Sequence, residues 1–242
     1  MPSKARSNAP PAARAATTVA PTAAPSSATA TPPARPARRR SPRSQAEFKE
    51  ALLAHARQVY LEKGLDGLSI RALTRAFAMS PMAFYGYFAS KHDLARHICV
   101  DFFRELLDRQ LLAAQGKRSP VQVLGAHVRA YFAYWEAYPD RYRLVYMPQG
   151  AEATLPTQLG DDPVYRALWQ LMRERVVACA HGRDVPERAV RLQCDLVLAK
   201  AVGYLHATLV VERYPFVDRD ALRRLAVQDI VDGVVAALGP RP

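Results

Sequence analysis

The sequence predicts an all-α fold of about nine helices, and three observations support this prediction. Hydrophobic residues recur at helical spacing through most of the chain after residue 43. Residues that favour helix starts precede these segments, and glycine or proline separates them. Half of the 242 residues are hydrophobic, which is enough to form one large core or two small ones.

The first 43 residues differ in composition from the rest and are predicted to be a disordered tail. They contain nine of the 19 prolines and almost no large hydrophobic side chain. One lysine, seven arginines and no acidic residue give this tail a charge of +8, which leaves only +4 of the net +12 for the remaining 199 residues. Arg40 and Arg43 end the basic cluster beside the first helix. The tail is expected to follow DNA phosphates or enter a minor groove, or else to be a solubilising segment.

The first ordered helix is predicted to begin at Ser44. Ser44 and Glu47 have the spacing of a capping box, in which each side chain bonds the backbone N–H of the other residue. Gly64 is predicted to end this helix, because glycine readily adopts the left-handed conformation that terminates many helices. The apolar face of this helix contains Phe48, Leu52, Ala56 and Val59.

A second helix is predicted to begin at Ile70. Ser69 can cap it, because a serine hydroxyl accepts a hydrogen bond from one of the first backbone N–H groups. Leu68 and Leu73 occupy the two positions of a hydrophobic staple, which sets the direction in which the chain enters the helix.

A third helix start follows closely, and the pair has the dimensions of a helix-turn-helix. Ser80 can cap this helix with Pro81 at its first position, while Met79 and Phe84 form the staple. Two helices of about seven or eight residues, joined by a turn at 77–79, match a DNA-reading motif whose second helix lies in the major groove.

A long helix is predicted from Lys91 to about Gln115, where Gly116 stops it. Ser90 opens this helix, and Asp93 has the spacing to close a capping box. This helix is long enough to leave the DNA-binding bundle and enter a second domain, so it would link the two mechanically.

The segment 80–94, SPMAFYGYFASKHDL, resembles the signature of the TetR family of bacterial transcription regulators. In that family a short recognition helix ends in a Tyr-x-x-Phe pair and runs into Ser/Asn-Lys-x-x-Leu. The resemblance covers residues 44–98, and residues 131–147 resemble a segment of the ligand-binding half of some members. Ala78 stands where the family usually has glycine, so a left-handed turn there would cost about 1 kcal/mol.

The resemblance implies that the chain binds double-stranded DNA. Met82 and Ala83 are expected to meet base edges, where apolar groups can contact a thymine methyl. Tyr85 and Tyr87 match positions that contact phosphates or bases, and Lys91 matches a phosphate-contacting lysine. The full set of predicted DNA-binding residues is Arg40, Arg43, Ser69, Arg71, Ser80, Pro81, Met82, Ala83, Tyr85, Gly86, Tyr87 and Lys91.

Other roles remain open for part of this set. Ser69 and Ser80 are also helix caps, and Arg71 is also consistent with a solvated surface charge. Phe84 and Phe88 are expected to be core residues rather than DNA contacts.

The C-terminal part is predicted to be a helical bundle. The helix from Ser119–Pro120 to Tyr138 is apolar almost all round, which is typical of a central position. Three more helices are predicted at roughly 162–181, 186–213 and 219–238. In the resembled family the last two helices pair with their symmetry mates, so a homodimer is expected. The apolar stripe Leu222, Leu225, Ile230, Val234 and Leu238 would serve this contact or pack within the monomer.

A small hydrophobic or aromatic effector is expected in the same part of the chain, because aromatic side chains are concentrated between residues 131 and 169. A packed core is the alternative interpretation of these rings. Effector binding that favours one orientation of the linking helix would release DNA. The predicted effector-binding residues are Phe102, Phe103, Leu106, His127, Tyr131, Tyr134, Trp135, Trp169 and Met172.

Several functional classes are disfavoured. The chain has no G-x-S-x-G, no phosphate-binding glycine loop and no H-E-x-x-H, so no catalytic residue, metal ligand or cofactor is predicted, and an enzyme is a remote alternative. Three cysteines without C-x-x-C spacing fit buried thiols in a reducing cytoplasm. The apolar run at 196–211 contains Lys200 and His206, which argues against a membrane span.

These predictions combine into one expected organisation. Residues 1–43 form the tail, 44–95 a helix-turn-helix domain, and 96–240 an effector-binding and dimerisation domain. The expected function is a homodimeric repressor that acts in the cytoplasm on the nucleoid. The nearer alternative is a ligand-independent DNA-binding factor with an architectural role or a protein partner.

Overall fold

The computed structural model describes residues 42–147, 159–211 and 213–239, and the regular elements in these ranges are all helices. They are α1 (Pro42–Gly67), α2 (Ile70–Ala76), α3 (Pro81–Tyr85), α4 (Lys91–Ala114), α5 (Pro120–Ala137), α6 (Pro139–Tyr146), α7 (Pro163–Ala178), α8 (Glu187–Leu209) and α9 (Arg219–Leu238). The all-α prediction is confirmed for this part of the chain. The predicted tail lies outside the described residues as far as residue 41.

The first helix begins at Pro42, two residues before the predicted cap, so Ser44 lies inside its first turn. Proline is favoured there because the first turn of a helix leaves backbone N–H groups unpaired in any case. Gly64 has φ 64° and ψ −167° and interrupts the helical geometry before Gly67. This left-handed conformation is open to glycine, which explains the predicted helix end.

The predicted serine caps set the starts of the next three helices. The hydroxyl of Ser69 accepts a hydrogen bond from the N–H of Ala72 at 3.3 Å, and Ser80 accepts one from Ala83 at 3.1 Å. The third cap, at the start of α4, works in the same way. α2 has the predicted length of seven residues, whereas α3 has only five and continues into a hydrogen-bonded turn.

The cap of α4 differs in one detail from the predicted capping box. Ser90 accepts a hydrogen bond from the N–H of Asp93 at 3.0 Å, as expected. The carboxylate of Asp93 accepts a hydrogen bond from the N–H of Ala89 at 3.0 Å, whereas a capping box would have it accept from the N–H of Ser90. The backbone amide and the charge of the nearby Arg96 keep the pKa of the Asp93 carboxyl below its usual value despite its burial.

α5 lies at the centre of the C-terminal bundle. It packs against α4, α6, α7, α8 and α9, and its buried side chains include Leu124, Val128 and Phe132. A helix that is apolar on nearly every side is stable in water only when neighbours surround it. The predicted central position is therefore confirmed.

The remaining helices follow the predicted order, with two differences. α6 is a separate short helix that begins at Pro139 directly after α5, whereas the sequence pattern did not delimit it. On α9, Ile230, Val234 and Leu238 are buried within the protomer, and Leu225 is 67% exposed. Most of the stripe predicted for dimerisation or internal packing is therefore used for internal packing.

Ala78 in the turn between α2 and α3 has φ 47°, the left-handed conformation that its position predicted. Replacing Ala78 by glycine is expected to raise the free energy of unfolding by about 0.5–1 kcal/mol. Removing the Cβ relieves the left-handed strain, and the greater freedom of the unfolded chain offsets part of this gain.

Chemical denaturation measures this difference. The matched control is Ala51→Gly, because Ala51 is exposed in the middle of α1. The free energy of unfolding of Ala51→Gly should fall by about 1 kcal/mol, the usual penalty for glycine in a helix. A loss of similar size in Ala78→Gly would show that the turn is not strained.

Candidate nucleic-acid interface and ligand cavity

Aromatic contacts with α1 hold the helix-turn-helix. Phe48 of α1 packs against Phe77 in the turn at a ring-centroid distance of 5.6 Å and against Tyr87 at 5.5 Å. The Nζ atom of Lys49 lies 5.3 Å from the centre of the Phe88 ring. α1 therefore contacts the chain on both sides of α3, which helps to hold that helix in place.

α3 turns one face to solvent. Phe84 is fully buried, whereas Met82 is 80% exposed and Tyr85 is 52% exposed. Small and apolar side chains on an exposed helix can approach base edges closely. Five of the predicted DNA-binding residues lie together on this exposed segment: Pro81, Met82, Ala83, Tyr85 and Gly86.

The two predicted serine contacts have a structural role that leaves a second role open. Ser69 and Ser80 use the oxygen of their hydroxyl to cap α2 and α3. A hydroxyl that accepts a bond still has its own hydrogen to donate. Both side chains are exposed, so that hydrogen can reach a phosphate. Tyr87 is half-buried, with its ring against Phe48.

The predicted basic contacts differ in their surroundings. Arg71 is exposed on α2, and Lys91 is half-buried at the first position of α4. Arg43 is also exposed, and its Nε donates to the carboxylate of Glu47 at 3.2 Å. Arg40 lies outside the described residues.

A cavity of about 70 Å³ lies between the helices of the C-terminal part. Five helices contribute to its wall, which is mostly apolar and aromatic. The wall consists of Phe103, Leu106 and Gln110 from α4, His127, Val128 and Tyr131 from α5, Tyr146 from α6, Tyr165, Leu168, Trp169 and Met172 from α7, and Val197, Leu198 and Ala201 from α8.

Six of the nine predicted effector residues line this cavity, and three do not. Phe102, Tyr134 and Trp135 are fully buried outside the wall. Arg141 lies over the ring of Phe102 at 4.8 Å and donates to the hydroxyl of Tyr134 at 3.0 Å. The effector assignments stay predictions. The six residues in the wall are Phe103, Leu106, His127, Tyr131, Trp169 and Met172.

The sequence reasoning missed Gln110 and Tyr146, the two other polar groups that matter most in this wall. Gln110 follows Leu106 by four residues and Phe103 by seven, so helical spacing could have placed it on the same face of α4. Tyr146 reaches the cavity because α6 packs on α5, which local sequence does not determine.

Two pairs of polar side chains lie in the wall. The Nε2 atoms of Gln110 and His127 are 3.0 Å apart, and these residues are only 2% and 5% exposed. Gln110 Oε1 and His127 Nδ1 have no hydrogen-bond partner among the described residues. The hydroxyls of Tyr131 and Tyr146 form the second pair at 2.8 Å.

These polar groups are uncharged at neutral pH. Burial lowers the pKa of the His127 imidazole to about 4, and the positive charge of Arg175 acts in the same direction. Burial also raises the pKa of the Tyr131 and Tyr146 phenols above the usual value. The cavity wall therefore offers hydrogen bonds without a net charge.

The low pKa of His127 predicts a pH dependence of stability. The unfolded chain takes up a proton near pH 6.5, whereas the folded chain does so only near pH 4. The contribution of the neutral His127 to the free energy of unfolding is therefore fully present above pH 6.5. It decreases as the pH falls toward 4, by up to about 3 kcal/mol.

His127→Gln should remove this part of the acid sensitivity, as measured by denaturation across the same pH range. His206→Gln changes an exposed histidine and is the matched control. Equal acid sensitivity in the wild type and in His127→Gln would contradict a neutral, buried imidazole.

Ion pairs connect α1 with α4 and α6. Arg57 of α1 donates to Asp101 of α4 at 2.6 Å and lies 3.6 Å from Glu105. Arg141 of α6 donates to the same Glu105 at 2.5 Å and to the hydroxyl of Tyr134 in α5. A shift of α4 or α6 would therefore change the contacts of α1.

Within the ranges that the structure describes, His, Cys, Asp and Glu side chains form no group that could hold a metal ion. The three cysteines are buried as thiols. None of the described helices is long and apolar enough to cross a membrane.

Residues 52–98 match the family model of the bacterial regulatory proteins, tetR family. The matched range contains most of α1, all of α2 and α3, and the beginning of α4. It is the same helix-turn-helix whose caps, turn and exposed face are described above. A search of curated proteins found no match to the chain.

Solved structures share the fold over most of the chain. The fatty acid degradation regulator FadR from Bacillus halodurans has a TM-score of 0.59 at 16% identity, covering 81% of this chain and 98% of its own. A tetR-family regulatory protein from Rhodococcus RHA1 has a TM-score of 0.54 at 16% identity, with coverages of 81% and 99%. A TetR/AcrR-family regulator from Thermobifida fusca has 0.56 at 17% identity, with coverages of 77% and 98%. Residues 52–98 therefore match the tetR family of bacterial regulatory proteins, and the chain shares the fold of these solved structures over most of its length.

Proposed function

We propose that the chain is a transcriptional repressor that binds a pseudo-palindromic operator as a homodimer and is released by a small hydrophobic or aromatic effector. The exposed face of α3, with Met82 and Tyr85 directed to solvent, is the observation that carries this proposal. We assign DNA binding to residues 44–95 and effector binding and dimerisation to residues 96–240. The basic tail, 1–43, is a separate segment.

The operator would be read mainly through apolar contacts and DNA shape. Met82 and Ala83, which are exposed, would contact base edges, where a thymine methyl is a suitable partner. Arg71 and Lys91 would position the protein on phosphates. Because Tyr85 is the only long side chain with a polar group on α3, sequence-dependent shape would contribute much of the specificity.

An exposed stripe on α8 supports the proposed dimer. Leu192 and Leu196 are 56% and 43% exposed, and Ala199 and Gly203 are exposed at the following positions of the same face. A Cβ added at Gly203 would meet no atom within 4 Å, so a second helix can approach closely there. Two such copies would place the reading helices about 34 Å apart, one turn of DNA.

Effector release would use α4, which joins the two functional parts. A ligand in the cavity contacts Phe103, Leu106 and Gln110 on this helix. Arg57 ties the same helix to α1 through Asp101. A ligand that favours one orientation of α4 would change the spacing of the two DNA-reading helices. Effector binding would then lower the affinity for the operator, and operator binding would lower the affinity for the effector.

Tyr85→Ala tests the DNA-reading face. We expect operator affinity to fall about tenfold to a hundredfold, because Tyr85 is exposed on α3 and the loss of one good contact has an effect of this size. Stability should change little. The DNA can be obtained by genome-wide capture with the tagged protein, and affinity measured at fixed salt.

Tyr214→Ala is the matched control, because Tyr214 is also exposed, at 60%, but lies between α8 and α9. Its operator affinity should equal that of the wild type. If both variants bind as tightly as the wild type, α3 is not the reading helix.

A ligand-independent DNA-binding factor of the same fold is the second candidate, and the size of the cavity favours it. At about 70 Å³ the cavity is smaller than the roughly 300–1,000 Å³ of most ligand sites. An effector must therefore be compact or must displace side chains of the wall. Direct ligand binding separates the two functions, since a ligand-independent factor would bind none.

A further inference from the structure

We infer that the cavity takes a compact, uncharged ligand with a hydrogen-bond donor and acceptor on one polar group, such as an amide or a hydroxyl, bound by Gln110 and His127. This inference rests on the proposed effector function and specifies the chemistry of the effector.

The buried pair leaves one donor and one acceptor unused. In the described orientation the amide of Gln110 donates to Nε2 of His127, so the hydrogen of the neutral imidazole is on Nδ1. The unpaired atoms are then the donor at His127 Nδ1 and the acceptor at Gln110 Oε1. Rotating the amide by a half-turn exchanges these roles, and one donor and one acceptor again remain.

A buried polar atom without a partner destabilises the protein, and a ligand that satisfies it removes this penalty. Both residues of the pair line the cavity, and their unpaired atoms are buried, so a bound molecule that displaces part of the wall would reach both. An amide or hydroxyl can donate and accept at once. A hydrocarbon can do neither, and an ionised carboxylate can only accept.

The wall also favours a neutral ligand. None of its side chains is charged at neutral pH, because burial keeps His127, Tyr131 and Tyr146 in their neutral forms. A charged group without a partner is unfavourable in such surroundings. Arg175 lies near enough to affect His127 but is not part of the wall.

Size and shape restrict the ligand further. A cavity that holds benzene measures roughly 150 Å³, so a single ring would need about twice the 70 Å³ present. Met172 in the wall has a flexible side chain that can adjust. Trp169 and Tyr165 provide flat apolar surface for a ring.

Three probes that share a benzene ring test this inference: benzamide, benzoate and toluene. Their dissociation constants are measured by calorimetry on the full chain near neutral pH, without DNA. We expect benzamide to bind about tenfold tighter than either of the others, since it alone pairs both unused atoms. In Gln110→Met, which keeps the volume but not the amide, the preference for benzamide over toluene should vanish. Gln122→Met alters an exposed residue of α5 and should change nothing.

Each outcome bears on the inference. Benzoate binding as tightly as benzamide would overturn it and indicate an anion that uses Arg175, while the effector function would stand. Toluene binding as tightly would overturn it in favour of purely apolar recognition. If no probe binds at millimolar concentration, both the inference and the assignment of this cavity as the effector site are wrong. The dissociation constants of the three probes for the wild-type protein test the inference even if Gln110→Met does not fold.

Discussion

Replacing Leu196 by arginine is expected to convert the proposed dimer into a monomer and to weaken operator binding by at least about a hundredfold. Leu196 lies at the centre of the exposed stripe on α8, between Leu192 and Gly203. An arginine there would bury a charge without a partner in the dimer, whereas in the monomer it remains in water. In a dimer, binding of one α3 helix to its half-site raises the effective concentration of the other α3 helix at the second half-site. A monomer lacks this advantage, which explains the size of the effect.

Analytical ultracentrifugation measures the oligomeric state, and titration of the captured operator measures affinity. Leu112→Arg is the matched control, because Leu112 is a 64% exposed leucine on α4 away from the stripe. It should remain dimeric and bind normally. A dimeric Leu196→Arg with normal affinity would place the dimer contact elsewhere.

Trp135→Ala is expected to lower the free energy of unfolding by about 3–5 kcal/mol. Trp135 is fully buried, and its ring lies within 4.9–5.8 Å of Tyr134, Tyr146 and Tyr142. Removing it leaves a cavity among aromatic rings that cannot close without moving α5 and α6.

Trp169→Ala provides the comparison, because Trp169 is half-buried and already borders a cavity. Its loss should be about 1–2 kcal/mol, in proportion to the smaller apolar area that it removes from water. Denaturant titration of both variants gives the two values. If Trp135→Ala costs no more than Trp169→Ala, the aromatic segment is not the core of the bundle.

The helix-turn-helix could be predicted from sequence because its determinants are local. Ser69 and Ser80 cap helices through residues three positions away. The left-handed turn at Ala78 is expected from the resemblance, because the family usually has glycine there. Such interactions involve neighbours in the chain, so residue spacing is enough to locate them. The start of α1 at Pro42 shows the remaining uncertainty of about two residues at helix ends.

The ligand cavity could be predicted only in part because it depends on how distant helices pack. The concentration of aromatic residues predicts Tyr131, Trp135 and Trp169 as one group. Tyr131 and Trp169 line the cavity, whereas Trp135 is buried outside its wall. Gln110 and His127 are 17 residues apart and meet only because α4 and α5 lie side by side. Local patterns contain no information on such pairs.

The same reason applies to the apolar stripes of the last two helices. The regular spacing of Ile230, Val234 and Leu238 indicates a buried face but does not show what covers it, and the structure covers it within the protomer. The exposed stripe of α8 could not be predicted from sequence, because identifying it requires knowing which face of that helix packs against the rest of the protomer.

The most direct test of a dimeric, effector-released repressor is operator affinity at fixed salt, measured on an intact palindrome and on each half-site, with and without a bound effector. The palindrome comes from genome-wide capture, and the effector from the probe series or from the functions of the captured genes. We expect tight binding that needs both half-sites and weakens when effector is present. Broad, steeply salt-dependent binding without a motif would contradict this function and assign DNA binding to the basic tail.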